Sequence, residues 1–287
     1  MRKTKIEWCT MTWNPVTGCL HGCEYCYARK IAQRFGGYSK ELQSEYETPI
    51  QVFASCGVIA ALDSPLLRHT TWGEAIAPYP FEFDPTFYRY KLNEPQQVKK
   101  SQNIFVCSMA DLFGEWVPIE WIEGVLKACY QASQHRYLFL TKNPDRYADA
   151  VEYLESRMPE CAADDNPPEM WFGATVDSNR ALWDAYESEA TWLSIEPILE
   201  EISVDECFIA YRRGDEAEVP RWHWVVIGAE TGNRKGKVVP QRSWIEEIVK
   251  ECDANGIPVF MKDSLIPIVG EAAMRREFPW DKEVQNG

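Results

Sequence analysis

Three cysteines near the start of the chain have the types and the spacing that metal chemistry requires. Cys19, Cys23 and Cys26 lie within eight residues in a C-x3-C-x2-C arrangement, whereas the other seven of the ten cysteines are scattered along the chain. Three thiolates on one loop can each hold one iron of a [4Fe–4S] cluster, which leaves the fourth iron open to another ligand. Gly18 and Gly22 suit such a loop, because glycine lets the backbone come close to a cluster and adopt positive φ angles.

Three other interpretations of this segment stay open. His21 can join the three cysteines as the fourth ligand of a structural zinc ion, although no second C-x2-C pair accompanies them. Cys23 and Cys26 alone can form a redox dithiol, which leaves Cys19 unexplained and lacks an early βαβ pattern around it. Chance clustering is the third alternative. We interpret four of the scattered cysteines as ordinary core residues: Cys129, Cys161, Cys207 and Cys252.

Polar side chains recur where strand-like segments end, from residue 103 onward. They are Ser108, Asp111, Thr141, Lys142, Thr175, Asp177, Glu196, Glu230 and Lys262. In parallel α/β folds the functional edge is built from the residues just past each strand's carboxyl end, so these side chains are candidates for ligand binding. Lys142 can pair with a ligand carboxylate, whereas the acidic side chains can accept from an ammonium or from hydroxyls. An ordinary role is an equally good interpretation for each residue: Ser108 and Thr175 can satisfy backbone groups, Asp177 can cap a helix, and Lys142 and Lys262 can lie at a solvated rim.

The segments between these positions predict the fold. Short apolar runs alternate with stretches of helical periodicity, and the runs are Asn103–Ser108, Tyr137–Lys142, Met170–Val176, Thr191–Ile195, Trp222–Ala229 and Pro258–Lys262. Helix starts are marked by Pro118, by Asp177 or Ser178, and by a capping box at Ser243–Glu246. Six such units predict an α/β protein with a partial or complete TIM-like (β/α) barrel. A doubly wound sheet is the alternative, because strand order cannot be read from one sequence.

Length and composition narrow the class of protein. The chain has 287 residues, of which 45% are hydrophobic, and this predicts one large domain over residues 1–287. Within it we expect an insertion at 38–80, after the first βα unit, and a polar tail at 271–287. We expect a short strand near Phe81–Phe83. The net charge of −14 argues against general nucleic-acid binding. The longest apolar run, Val52–Leu62, is too short to span a membrane, and no signal peptide is recognisable, so we expect a cytoplasmic protein.

The cysteine spacing, with the aromatic Tyr25 before the last cysteine, resembles the signature of the radical S-adenosylmethionine (SAM) superfamily. Within that superfamily the chain looks like the phage-type three-Cys-motif proteins, a family of unknown function. The stretches that carry this closer resemblance are Lys5–Trp8, Thr12–Cys19, Ser108–Phe113, Leu140–Lys142, Leu193–Pro197 and Ile227–Gly232.

The resemblance implies a fold, two cofactors and a reaction. It implies a partial TIM-like barrel with the cluster loop at the carboxyl end of the first strand. Cys19, Cys23 and Cys26 would hold a [4Fe–4S] cluster, and SAM would bind the open iron through its amino and carboxylate groups. One electron would then cleave SAM to methionine and a 5′-deoxyadenosyl radical, which abstracts hydrogen from a substrate that the sequence does not identify.

The same resemblance, combined with the strand-end positions, assigns the cofactor-binding residues Tyr25, Ser108, Asp111, Lys142, Glu196 and Glu230. Many superfamily members hold the amino group of SAM with a Gly-Gly-Glu motif, which the segment Phe81–Pro85 lacks, so that contact is not assigned. The resemblance also implies an electron donor and a separate protein that associates with three-Cys-motif proteins. The alternative function is a non-catalytic metal-binding or phage–host interaction module, in which the cysteines staple a loop.

Overall fold

The computed structural model describes residues 1–36, 50–53, 57–157, 167–204, 207–211 and 218–281. Its helices are α1 (Tyr27–Phe35), α2 (Ile119–Tyr130), α3 (Tyr147–Arg157), α4 (Asn179–Tyr186), α5 (Arg242–Ala254) and α6 (Ile266–Val269). Its strands are β1 (Arg2–Lys3), β2 (Met11–Trp13), β3 (Val16–Thr17), β4 (Ile50–Phe53), β5 (Gly57–Leu62), β6 (Leu67–Thr70), β7 (Gly73–Ile76), β8 (Thr86–Tyr88), β9 (Asn103–Val106), β10 (Arg136–Thr141), β11 (Glu169–Thr175), β12 (Trp192–Ile195), β13 (Ile209–Tyr211), β14 (Glu218–Pro220), β15 (Trp224–Ile227) and β16 (Val259–Met261). Short 3-10 turns are Arg89–Lys91, Pro95–Gln97, Pro144–Arg146, Asp263–Leu265, Glu271–Ala273 and Pro279–Asp281.

The main sheet is mixed and contains eight strands in the order β1-β2-β9-β10-β11-β12-β15-β16. Strand β1 pairs with β2 antiparallel, whereas the pairs β2–β9, β9–β10, β11–β12, β12–β15 and β15–β16 are parallel. In the part of the chain that the structure describes, the sheet ends at β1 and β16 and forms no closed barrel. The predicted TIM-like barrel, partial or complete, is therefore wrong.

The barrel prediction fails because strands and helices alternate less regularly along the chain than the apolar runs indicate. A barrel needs pairing of its first and last strands, with matched tilt and stagger all round. Here the antiparallel β1 occupies the free side of β2, and a β13–β14 hairpin lies between β12 and β15. Between β2 and β9 the chain builds separate sheets instead of one crossover helix alone.

The chain divides into two compact units, of which the first comprises Met1–Phe139 and Asp149–Met170. Besides its strands of the main sheet, this unit has a second sheet in the order β3-β8-β5-β4 and a β6–β7 hairpin. Its core includes the fully buried Trp13 and the Phe87–Trp121 stack, whose ring centroids are 5.2 Å apart. Helix α2 starts directly after Pro118, as the sequence predicts.

The strand predicted near Phe81–Phe83 is wrong, because this segment is a turn and the strand, β8, comes later at Thr86–Tyr88. Glu82 has φ of 53°, in the left-handed region that a strand does not use. The Asp84 N–H donates to the Phe81 carbonyl at 3.0 Å, which closes the turn. Both phenylalanines are nevertheless buried, so their alternation with Glu82 imitates a half-buried strand.

The second unit comprises Leu140–Ala148 and Trp171–Gly287, and its core is the parallel run β11-β12-β15-β16. The strands β12, β15 and β16 are buried along their whole length. Aromatic rings pack together here, with Trp192 and Trp224 at 5.2 Å and Phe278 and Trp280 stacked at 5.1 Å between centroids. Residues 275–277, within the segment predicted as a tail, pair with β16 through backbone hydrogen bonds.

The helix boundaries of this unit test the predicted caps. Ser178 caps α4, since its side chain accepts from the Ala181 N–H at 3.3 Å, which confirms one of the two predicted caps. The capping box predicted at Ser243–Glu246 is wrong, because α5 already begins at Arg242, after Gln241.

None of the helices in the described ranges is both long and apolar enough to cross a membrane. The aromatic residues Tyr38 and Tyr46 of the predicted insertion lie outside the described residues.

Candidate metal centre

The three-cysteine loop connects β3 to α1 in the first unit and is tied to two neighbouring segments. The Gly18 N–H donates to the Met109 carbonyl at 2.9 Å, and the Cys19 N–H donates to the Phe83 carbonyl at 3.2 Å. Gly18 has φ of +90°, and a Cβ there would stand 2.3 Å from the carbonyl oxygen of Asp84. Only glycine therefore fits at the entrance of the loop.

Cys26 caps the helix that comes after the loop. Its Sγ accepts a hydrogen bond from the Arg29 N–H at 3.3 Å, and α1 begins at the next residue. The positive end of a helix dipole stabilises a thiolate, so this position suits a metal-ligating sulfur. Arg29 also links the two ends of the loop, because its guanidinium donates to the Cys19 carbonyl at 2.8 Å while lying over the Phe83 ring at 4.8 Å.

The three thiols are half-buried, and none is in a disulfide. The pKa of Cys19 is raised to about 12, mainly because the thiol is buried; a backbone hydrogen bond from His21 opposes this shift, and the charges of Asp111, Cys23 and Cys26 add to it. A thiol in these surroundings stays protonated until a cation arrives, and a bound metal ion deprotonates its thiol ligands. Binding of a metal centre would therefore displace the proton of Cys19.

The turn after β9 faces this loop within the same unit and is held by Asn14. The Asn14 Oδ1 accepts from the Ser108 hydroxyl at 3.2 Å and from the Met109 N–H at 3.0 Å. The Tyr27 hydroxyl donates to the Ser108 carbonyl at 2.7 Å. Cys107, just before the turn, has the unusual φ of 57° and is fully buried. Ser108 is therefore a fixed residue of the turn next to the cysteine loop.

A polar pair joins the loop to the same turn. His21 Nε2 lies 2.7 Å from Asp111 Oδ2, and Asp111 Oδ1 accepts from the Phe113 N–H at 3.1 Å. The His21 ring meets the ring of Trp116 edge-on, with 4.9 Å between centroids. From the sequence, His21 was predicted only as a possible zinc ligand, and its pairing with Asp111 was not predicted. The two residues are 90 positions apart, and no local motif relates them.

The three free cysteines of the loop are the donors that this segment offers to a metal centre. Among the residues that the structure describes, no three His, Cys, Asp or Glu side chains are grouped as ligands of one metal ion. A closed zinc site needs four ligands that converge on one point. A [4Fe–4S] cluster instead takes each thiolate on a different iron, so three free thiols spread along one loop suit it. The scattered Cys129, Cys207 and Cys252 are buried core residues as predicted, and Cys161 lies outside the described ranges.

The remaining candidates lie in the second unit, at the carboxyl ends of its strands. Lys142 forms an ion pair with Asp177. The register that aligns Ile195, Ile227 and Met261 places the next residue of each strand side by side: Glu196, Gly228 and Lys262. Glu196 and Lys262 form an ion pair, and a Cβ on Gly228 would stand 3.2 Å from Glu196 Oε1. The missing side chain of Gly228 therefore leaves room for this pair across the intervening strand.

Glu230 is the most buried of these acidic groups, with a side chain that is 2% exposed. Arg234 donates to its two oxygens at 2.8 and 2.7 Å. This bidentate hydrogen bonding lowers the pKa of the Glu230 carboxyl, despite the opposing effect of burial. The predicted cofactor-binding residues are thus divided between the two units. Tyr25, Ser108 and Asp111 lie in the first unit, which also holds the three cysteines. Lys142, Glu196 and Glu230 lie in the second unit, and each of them forms an ion pair.

These features define a class: a protein with a mixed β-sheet whose first unit carries a loop of three free cysteines, braced by a histidine–aspartate pair. A family model described as a protein of unknown function (DUF5131) matches residues 3–265, so the chain belongs to that family. No curated protein and no solved structure matches the chain.

Proposed function

We propose that this protein is a radical SAM enzyme in which Cys19, Cys23 and Cys26 hold a [4Fe–4S] cluster. The observation that carries the proposal is the loop itself, which has three free, half-buried thiols, one of them at the first turn of a helix. When bound and reduced, such a cluster supplies the electron that cleaves SAM to methionine and a 5′-deoxyadenosyl radical. The proposal does not depend on a barrel, because the ligand set belongs to one loop.

The chain's own residues have distinct roles in this proposal. Arg29 holds the loop to the start of α1, and the His21–Asp111 pair holds it to the turn after β9. Tyr25 and Ser108 stand next to these anchors and are candidate contacts to SAM. Because a primary radical attacks any neighbouring group, rigid positioning of this kind is the protein's main contribution to such a reaction.

Lys142, Glu196 and Glu230, the cofactor-binding candidates that lie in the second unit, stay predictions from the sequence. Each now has a partner of opposite charge, so a ligand carboxylate or ammonium would exchange with that partner instead of meeting an unpaired charge. The substrate is not assigned. The proposal includes an electron donor, a partner protein of the kind that associates with three-Cys-motif proteins, and a reducing cytoplasmic location, which keeps thiols available for a cluster.

The test is anaerobic reconstitution with iron and sulfide, followed by reduction in the presence of SAM. We expect about four irons and four sulfides per chain and release of 5′-deoxyadenosine. Cys23→Ala should abolish both, whereas the matched control Cys9→Ala, which changes a cysteine outside the loop, should retain them. About one zinc per chain without iron would contradict the proposal and favour the non-catalytic metal-binding or phage–host interaction module.

A further inference from the structure

Helix α1 exposes a row of large apolar side chains. Tyr27, Ile31 and Phe35 are spaced four residues apart, so they lie along one face of the helix. Tyr27 and Phe35 are each 48% exposed and Ile31 is 37% exposed, whereas Ala28 and Ala32 on the neighbouring face are buried. Single exposed apolar residues are ordinary, but three in a row on one short helix indicate a surface that another molecule covers.

The same helix is basic, although the net charge of the chain is −14. It contains Arg29, Lys30 and Arg34 and no acidic residue. Arg29 is engaged with the cysteine loop, whereas Lys30 and Arg34 are exposed and form a second row beside the apolar one. No carboxylate in the described ranges forms an ion pair with either of these two side chains. The exposed face of α1 therefore combines an apolar row with two cations.

The buried face of α1 lies against the cysteine loop within the first unit. Ala28 and Ala32 belong to a core cluster on which Cys19 and Cys26 pack. The Arg29 N–H, in the first turn, donates to Cys26 Sγ at 3.3 Å. A protein bound to the exposed face of α1 would thus be separated from these two sulfurs by one helix width, about 10 Å.

We propose that the exposed face of α1 is the docking surface for an acidic one-electron donor protein. This inference rests on the proposed function and names the surface where its electron donor binds. The apolar row would form the centre of the interface, and Lys30 and Arg34 would attract carboxylates at its rim. One electron would pass from the donor, which is oxidised, to the cluster, which is reduced, and no proton or group would be transferred.

Other occupants fit this face less well. If two copies of the chain paired through α1, their cations would face each other, because a two-fold interface brings the same surface together. A membrane or a nucleic acid is an extended anionic surface, so it would also meet other parts of a chain whose net charge is −14. A partner protein can instead place its carboxylates only where α1 supplies cations.

The first test compares two reductants for protein reconstituted with iron and sulfide, in the presence of SAM. Dithionite is a small reductant that needs no docking surface, whereas reduced flavodoxin is an acidic protein that carries one electron. Lys30→Glu combined with Arg34→Glu should lower the flavodoxin-driven release of 5′-deoxyadenosine at least about tenfold at low salt. The dithionite-driven release should stay unchanged. The matched control, Lys99→Glu combined with Lys100→Glu, reverses two exposed cations of the same unit outside α1 and should change neither rate.

A second measurement follows binding alone and uses the wild-type chain, so it does not depend on how a variant folds. A carbodiimide links lysine amines to carboxylates that contact them. After treatment of the mixture with flavodoxin, mass spectrometry should find Lys30 joined to a flavodoxin carboxylate. Links that come instead from Lys99, Lys100 or other lysines outside α1 would overturn the inference.

The remaining outcomes separate this inference from the proposed function. The inference fails if both double variants keep the flavodoxin-driven rate, or if flavodoxin does not reduce a wild type that dithionite reduces. It also fails if Lys30→Glu combined with Arg34→Glu abolishes binding to phosphatidylserine vesicles or to DNA, which would assign the face to those partners. A wild type that binds no iron and releases no 5′-deoxyadenosine with dithionite would instead remove the proposed function.

Discussion

At the scale of single residues, the strongest constraint is the glycine that opens the cysteine loop. Gly18 combines a left-handed φ with a neighbouring backbone that leaves no space for a side chain. We predict that Gly18→Ala lowers the free energy of unfolding by at least about 2 kcal/mol more than Gly22→Ala. Gly22 also has a positive φ, of +73°, but a Cβ there would meet nothing within 4 Å. Gly22→Ala therefore measures the cost of the backbone conformation alone, without the steric clash that Gly18→Ala adds. Urea denaturation of the metal-free proteins measures both, and equal losses would contradict the packing that we describe.

A second residue-scale prediction concerns the buried Glu230–Arg234 pair. Arg234→Met leaves a buried carboxylate without its cation, which should cost about 3 kcal/mol at pH 7. Since Arg234 holds the folded-state pKa of Glu230 below its ordinary value, the pair's stabilisation is complete above that ordinary value, about 4.3, and is lost as the pH falls through the lowered pKa. The deficit of the variant should therefore shrink in acid.

Urea denaturation between pH 3 and pH 7 checks this, with Arg242→Met as the control. Arg242 pairs with Glu246 on the exposed face of α5, so its loss should change stability by less than about 0.5 kcal/mol at any pH. A deficit of Arg234→Met that stays constant through the acid range would show that its cause is lost packing and not the charge of Glu230.

At the scale of elements, Cys26 has two separable functions, because it is both a proposed ligand and the cap of α1. A serine can replace the sulfur as the acceptor for the Arg29 N–H, but an alanine cannot. We predict that Cys26→Ser keeps the stability of the metal-free protein within about 0.5 kcal/mol, whereas Cys26→Ala loses about 1 kcal/mol. Both variants should fail to incorporate a cluster. Equal stability of the two in denaturation would contradict the capping role.

The elements were predictable where a residue's local chemistry decides the outcome. Pro118 and Ser178 mark helix starts correctly, since a proline fits the start of a helix and a serine can bond an unpaired N–H in any context. Ser243 fails because α5 begins at Arg242, so the apparent capping box lies inside the helix. Phe81–Phe83 fails because burial of alternating side chains occurs in a turn as well as in a strand, and only the φ angle of Glu82 separates the two.

At the scale of the whole molecule, the apolar runs predict the strands but not how the sheet ends. The apolar residues of each run show that this strand is buried. Whether the sheet closes into a barrel depends instead on which strand pairs with the free side of β2, and that strand is the short Arg2–Lys3 segment, which pairs antiparallel. The cysteine spacing was readable because its ligands are neighbours in sequence. The His21–Asp111 pair and the His21–Trp116 ring contact were not readable, because contacts between residues so far apart in sequence depend on the fold.

In the proposed function, Cys19, Cys23 and Cys26 hold a cluster with one iron free for SAM. Mössbauer spectroscopy of protein reconstituted with iron-57 tests it most directly, because it distinguishes irons by their ligands. We predict that, when SAM is added, the signal of one iron in about four separates from those of the other three, and that Cys23→Ala gives no cluster signal. Four irons that stay equivalent in the presence of SAM, or a chain that holds zinc and no iron, would contradict it.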